Sequence, residues 1–223
     1  MQFSFFKKTV PAETEQAIRT IKRRTNTELD AGYALIKKHP RSVSILGSAR
    51  FKEGSEYYEK ARALAKRIAT ELGYAVVTGG GPGIMEAANR GAKEGNGVSI
   101  GFTIKLPKEQ TTNPYVTESA DFEYFFNRKE LLFFAAETYI YFPGGYGTFD
   151  ELFSMITQIQ TNKAAHTPVI LVGSAFWKPI LDILEPEFLK YDAISPEDTK
   201  IYTVVDDENE IIDIIKRAPV RTV

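Results

Sequence analysis

The 223-residue chain contains no cysteine, which removes disulfide frameworks, thiolate zinc sites, iron–sulfur clusters and cysteine nucleophiles together. It has only two histidines, His39 and His166, far apart and in no H-E-x-x-H pattern. No metal or cofactor is therefore expected. Neither sign of charge dominates: 28 Lys+Arg face 29 Asp+Glu for a net charge of −1. That balance argues against nucleic acid as a partner, because polymer binding by counterion release needs a basic face. A local site for one small anion stays open. No run approaches the roughly 18 apolar residues of a membrane span, and the start, Met1 to Lys8, lacks the apolar core of a signal peptide. The expectation is a cytoplasmic protein without a membrane partner. Catalysis, if present, has to rest on carboxylates, Arg, Lys, Tyr, hydroxyls or backbone amides.

At 43% hydrophobic and 26% charged the composition is that of a globular protein. The length suits one α/β domain or two small ones, long enough to bury about 70% of the unfolded surface. We expect a single domain over 1–223 with an N-terminal helical extension at about 11–38, packed on the sheet or on a partner chain. From residue 42 short apolar runs alternate with amphipathic stretches. Strands are expected at 42–47, 74–78, 98–102, 138–142, 168–172 and 201–205. Helices are expected at 55–72, 83–94, 127–136, 148–161, 176–190 (broken around Pro186) and 208–217. Strands of four to six residues, apolar on both faces and separated by helices, indicate an α/β protein: a Rossmann-like doubly wound parallel sheet with helices on both faces.

In such sheets ligands bind beyond the carboxyl ends of the strands. Three turns there are unusual. Gly47-Ser-Ala-Arg50 follows the first strand without the G-x-G-x-x-G spacing of a dinucleotide site; Ser48 and Arg50 either reach a phosphate or belong to a solvated turn. Thr78-Gly79-Gly80-Gly81-Pro82-Gly83 runs from a strand into a helix, with Pro82 suited to the first helical position. Glycines let backbone N–H groups approach an anion, and a helix N-terminus adds about half a positive charge. No Gly-Lys-Ser/Thr follows, so this is no Walker A loop. The third turn is Pro143-Gly144-Gly145-Tyr146-Gly147-Thr148-Phe149-Asp150-Glu151. Thr148 and Glu151 have the spacing of a capping box, which would account for Glu151 structurally; a carboxylate held beside an anion site is the functional alternative. Between these turns Arg128 and Lys129 offer a bidentate and a point-charge contact, or simply a solvated helix face. Phe125, Phe126, Phe133 and Phe134 read as core or dimer contacts, Lys22-Arg-Arg24 as a solvated face, and both histidines as surface residues.

Taken together, Thr78-Gly-Gly-Gly-Pro-Gly-Ile-Met-Glu-Ala87, Leu106-Pro-Lys-Glu-Gln110, Asn127-Arg-Lys129 and Pro143-Gly-Gly-Tyr-Gly-Thr-Phe-Asp-Glu151 resemble the LOG ("lonely guy") family, often labelled "possible lysine decarboxylase". The resemblance spans about residues 40 to 210. It implies cleavage of the N-glycosidic bond of AMP or a cytokinin riboside 5′-monophosphate to free base and ribose 5-phosphate, in a homodimer. It also implies a catalytic pair, Arg128 and Glu151. Nucleotide contacts would come from Gly79, Gly80, Gly81, Gly83, Glu109, Lys129, Gly144, Gly145, Tyr146, Gly147, Thr148, Phe149, Asp150 and Thr157. The alternative is a non-catalytic nucleotide or cofactor carrier using the same cradle. Lysine decarboxylation is not expected, since it needs an electron sink such as pyridoxal phosphate on a lysine, and the glycine-rich turns contain none.

Overall fold

A computed structural model describes residues 11–105 and 111–220. Among these, seven strands form one parallel sheet in the order β4-β3-β2-β1-β5-β6-β7. They are β1 (Ser42–Leu46), β2 (Ala75–Thr78), β3 (Ser99–Ile104), β4 (Glu118–Phe122), β5 (Thr138–Tyr141), β6 (Val169–Leu171) and β7 (Tyr202–Val204). The helices are α1 (Ala12–Lys38), α2 (Glu56–Arg67), α3 (Ile84–Glu94), α4 (Phe125–Phe134), α5 (Tyr146–Gln160), α6 (Ser174–Lys190) and α7 (Glu208–Arg217). The chain builds outward from β1 to β4, then returns to lay β5 on the other side of β1, with Val43 beside both Val76 and Thr138. Strand order reverses between β1 and β5, so the loops leaving their carboxyl ends diverge and open a crevice.

Alternation along the strands sends side chains to two cores. Val43, Ile45, Val76, Ile140, Phe142, Ile170 and Val172 pack with α2, α3 and α7 on one face. On the other, Tyr139, Tyr141, Val169 and Leu171 pack under α5 and α6, while Ala75, Val77, Ile100, Phe102 and Phe122 pack under α1 and α4. Helices cover both faces, as expected. Among the described residues, no helix is long and apolar enough to cross a membrane.

Several local expectations are corrected. Strand β4 was not anticipated: it is an edge strand whose Glu118 and Asp121 interrupt the apolar pattern. The amphipathic run at 55–72 is α2 followed by one wider π turn, Ile68–Leu72, closed by Gly73 at φ 68°. Helix α3 starts at Ile84 with Gly83 as its N-cap, leaving Pro82 in the loop. Helix α6 runs unbroken through Pro179 and Pro186. A proline removes one N–H and crowds one carbonyl, but α6 is anchored before Pro186 by buried Trp177, whose Nε1–H donates to the Val172 carbonyl, and by Glu185, which accepts from the Tyr202 hydroxyl at 2.6 Å. His39 is not a free surface group; its ring meets Glu118 at 3.1 Å. The N-terminal extension is one helix, α1, whose second half packs on the sheet through Leu29, Tyr33 and Ile36.

Helices α2 and α3 are in tight contact at Gly91. A Cβ there would collide with the Arg62 carbonyl and lie 3.0 Å from Ala65 Cβ. Gly91→Ala is expected to destabilise the protein by about 1–3 kcal/mol. The change should appear as a lower urea midpoint with little change in m. An unchanged midpoint would show that the helices part without cost.

Candidate active site

The three glycine-bearing turns meet at the β1/β5 crevice and are tied to one another through the main chain. The Ser48 N–H donates to the Pro143 carbonyl and the Ile84 N–H donates to the Ser48 carbonyl, both at 3.0 Å. This contact dictates Gly83: its φ is +71°, and a Cβ would strike the backbone of Ser48 and Ala49. Gly80, also at φ +71°, lies against Thr103. Part of the glycine excess is thus required by packing. Gly145 and Gly147 differ, because a Cβ at either would meet nothing within 4 Å. Both line the crevice, where missing side chains let a ligand reach the backbone.

A buried polar cluster holds the second turn in shape. The Asn113 N–H donates to the Gly80 carbonyl at 2.9 Å, and its Nδ2 donates to the Gly81 carbonyl at 3.0 Å and to Asn89 Oδ1 at 2.8 Å. Thr78 Oγ1 donates to Asn89 Oδ1 at 2.7 Å and accepts from the Gly80 N–H at 2.9 Å. Asn89 Nδ2 donates onward to Ser99 Oγ at 2.9 Å. A satisfied buried network of this kind fixes one loop conformation, whereas a broken one strands donors out of water. Asn89 and Asn113 were not singled out from the sequence. The available signal was one amide on an otherwise small, apolar helix face formed by Ile84, Ala88 and Ala92.

The cleft is about 680 Å³ and is lined by all three turns together with Thr103, Ile104, Thr111, Thr112, Phe125, Arg128 and Glu151. Arg128 comes from the first turn of α4. Its Nε–H donates to the Phe102 carbonyl at 2.8 Å, and its Nη1 lies 3.7 Å from Glu151 Oε1. The guanidinium crosses Gly79, where any Cβ would displace it. Only 13% and 18% of the two side chains is exposed. Burial lifts the Glu151 carboxyl above its ordinary pKa, opposed chiefly by Arg128, with Asp150 adding to the rise and Lys129 opposing it. Burial likewise lowers the Arg128 pKa, with Glu151 opposing. Each charge resists the neutralisation that desolvation would impose on the other.

The capping-box alternative for Glu151 does not hold. Helix α5 begins at Tyr146 with Gly145 as N-cap, so Thr148 already lies inside the helix and Glu151 a turn further on. Thr148 is buried against Gly144, whose Cβ it would exclude.

Of the other sequence-derived candidates, Gly79, Gly80, Gly81, Gly145, Tyr146, Gly147, Thr148 and Phe149 line the cleft, while Gly83 and Gly144 support it from below. Lys129, Asp150 and Thr157 line a neighbouring groove between α4 and α5, where Lys129 Nζ donates to Asp150 at 2.9 Å and to Ser154 Oγ at 3.3 Å. Glu109, with the rest of Leu106–Gln110, lies outside the described residues. Ser48 and Arg50 do line the cleft. Phe133 is core, while Phe125 and Phe126 are exposed, Phe125 at the cleft and Phe126 in the groove.

Several known proteins are similar to this chain. The cytokinin riboside 5′-monophosphate phosphoribohydrolase LOG of Oryza sativa subsp. japonica is 32% identical over 142 residues, covering 62% of this chain and 57% of that protein. The cytokinin riboside 5′-monophosphate phosphoribohydrolase of Rhodococcoides fascians is 25% identical over 151 residues, 66% of this chain and 75% of that one. The pyrimidine/purine nucleotide 5′-monophosphate nucleosidase of Escherichia coli (strain K12) is 29% identical over 181 residues, 74% of this chain but 39% of that protein. The chain therefore spans little more than half of the rice relative and less than half of the E. coli one. Among solved structures, the molybdenum cofactor binding protein of Rippkaea orientalis superposes with a TM-score of 0.57 at 19% identity, covering 79% of this chain and 95% of that one. The molybdenum cofactor carrier protein of Chlamydomonas reinhardtii gives a TM-score of 0.55 at 24% identity over 80% and 97%. These two share the fold. The family model described as "Possible lysine decarboxylase" matches residues 85–215, more than half of the chain and the whole stretch carrying Arg128 and Glu151, and the chain belongs to this family, the LOG family.

Proposed function

We propose that the protein is a nucleoside 5′-monophosphate phosphoribohydrolase that hydrolyses AMP to adenine and ribose 5-phosphate, with cytokinin riboside 5′-monophosphate as the alternative substrate. The observation that carries this reading is a desolvated carboxylate and guanidinium 3.7 Å apart, opening on a cleft floored by glycine main chain. The start of α5, with Gly145 as N-cap and Gly147 in its first turn, both lining the cleft, suits a phosphate. Breaking a ribosyl C1′–N bond builds positive charge on the sugar and negative charge on the leaving base. Ionised Glu151 stabilises the first and takes the proton of the attacking water. Arg128 supplies positive charge to the phosphate, the ribose hydroxyls or the departing base. The names of the relatives support the same chemistry. Decarboxylation finds no support in the donor set, since no lysine lines the cleft among the described residues.

Incubation with AMP should release adenine, read by chromatography. Glu151→Gln should lower kcat by about 10²-fold or more with its melting temperature nearly unchanged. Full activity in that variant would remove Glu151 from the chemistry. Calorimetric binding of AMP by the wild type without base release would instead indicate a carrier. The rate should fall as pH drops and Glu151 takes up a proton, and because burial raises its pKa the midpoint of that limb should lie above the ordinary carboxylate range. A midpoint below that range would contradict the desolvated site. We further propose a homodimer in the cytoplasm; light scattering at the mass of one chain would contradict the dimer.

A further inference from the structure

Helix α1 lies outside the segment matched by the family model, yet it holds a buried carboxylate that points to the helix carrying Arg128. Glu28 is 6% exposed. Its Oε1 accepts the Glu123 N–H at 3.0 Å, and its Oε2 accepts from Asn127 Nδ2 at 2.7 Å. Asn127 is itself buried and immediately precedes Arg128. The N-cap of α4, Tyr124, makes no side-chain capping bond; Glu28, from another helix, places negative charge beside this helix start, holding the N–H just ahead of the N-cap and a side chain of the first turn. Arg24, one turn earlier on α1, lies 3.5 Å from Glu28 Oε1 and pairs with Glu123. One turn later Gly32 lets α1 close on α4, since a Cβ there would collide with Leu131. Tyr33 meets Phe134 edge-on at 5.7 Å.

We propose that Glu28 is a positioning residue for Arg128: α1 sets the axial and rotational placement of α4 through Glu28 and Asn127, and so fixes where the guanidinium stands against Glu151. Two features separate this from general helix packing. Both carboxylate oxygens accept from N–H groups, so an amide cannot replace the carboxylate without turning a donor onto a donor. The second of those donors is one residue from Arg128. The kinetic part of the test rests on the proposed phosphoribohydrolase reading; the spectroscopic part does not.

The test uses the full chain and the variant Glu28→Gln. Expected are a kcat for base release from AMP lowered roughly 10- to 100-fold, a KM within about threefold of wild type, and a shifted or broadened Arg128 Nε–H resonance in ¹⁵N–¹H spectra. That resonance is assigned by its loss in Arg128→Lys. In an Arg128→Ala background Glu28→Gln should cost no further activity, because its effect passes through the missing side chain. Asn127→Ala, which removes the other partner, should move the same resonance if Glu28→Gln folds poorly. Arg19→Ala, on the exposed face of α1, should change nothing. A folded Glu28→Gln with wild-type kcat and an unmoved resonance overturns the proposal, as does a full further loss in the Arg128→Ala background. If the wild type releases no base, the proposed function falls while the resonance still decides the positioning role.

Discussion

A guanidinium and a carboxylate held together away from bulk water constrain much of what surrounds them. Neither charge is tolerable there alone, and their mutual attraction offsets desolvation only when the remaining hydrogen-bonding groups are satisfied and the geometry is held. Arg128 therefore hands its Nε–H to the Phe102 carbonyl and lies over a residue with no side chain, Gly79. Glu151 is carried on α5 with the Tyr141 hydroxyl bonded to its own main-chain carbonyl at 3.3 Å, fixing the backbone from which the carboxylate projects. The two partners come from opposite sides of the chain reversal, α4 before β5 and α5 after it. Their distance is thus set by how the sheet positions two helices, and little local freedom remains to adjust it.

The supports for this pair are made of the same material throughout: buried polar groups with partners. Asn113 and Asn89 hold the second glycine turn through carbonyls and one another, and Glu28 holds the start of α4. Such groups add modest net stability when satisfied and cost considerably more when one partner is removed. They select a single arrangement more than they strengthen it, which is what a site assembled from three loops and two helices requires.

The same distinction explains what could be read from the sequence. Central strands announce themselves because both faces are buried, so β1, β2, β5 and β6 stand out as mostly apolar runs broken only by Ser or Thr, and α7 has the bounds its periodicity predicts. Edge strand β4, with Glu118 and Asp121 in a five-residue run, looks like loop until the sheet is seen. In the site, the glycine turns, Arg128 and Glu151 are legible because their residue types are unusual in that order. Asn89, Asn113 and Glu28 are not, because a buried amide or carboxylate carries the same letter as a solvated one, and only long-range contacts such as Glu28 to Asn127 tell them apart. The capping spacing of Thr148 and Glu151 misleads for a related reason: spacing alone cannot show that the helix has already begun at Tyr146.

A cleft whose floor is main chain has a further consequence for divergence. Gly145 and Gly147 present only peptide groups, which have the same chemistry whatever the neighbouring side chains are. Side-chain chemistry enters the cleft from its walls, at Thr103, Ile104, Thr111, Thr112, Phe125 and Tyr146. Tyr146, 98% exposed at the rim, is the freest of these letters. Substitution at the walls changes the side chains that the cleft offers while its main-chain lining keeps the same chemistry.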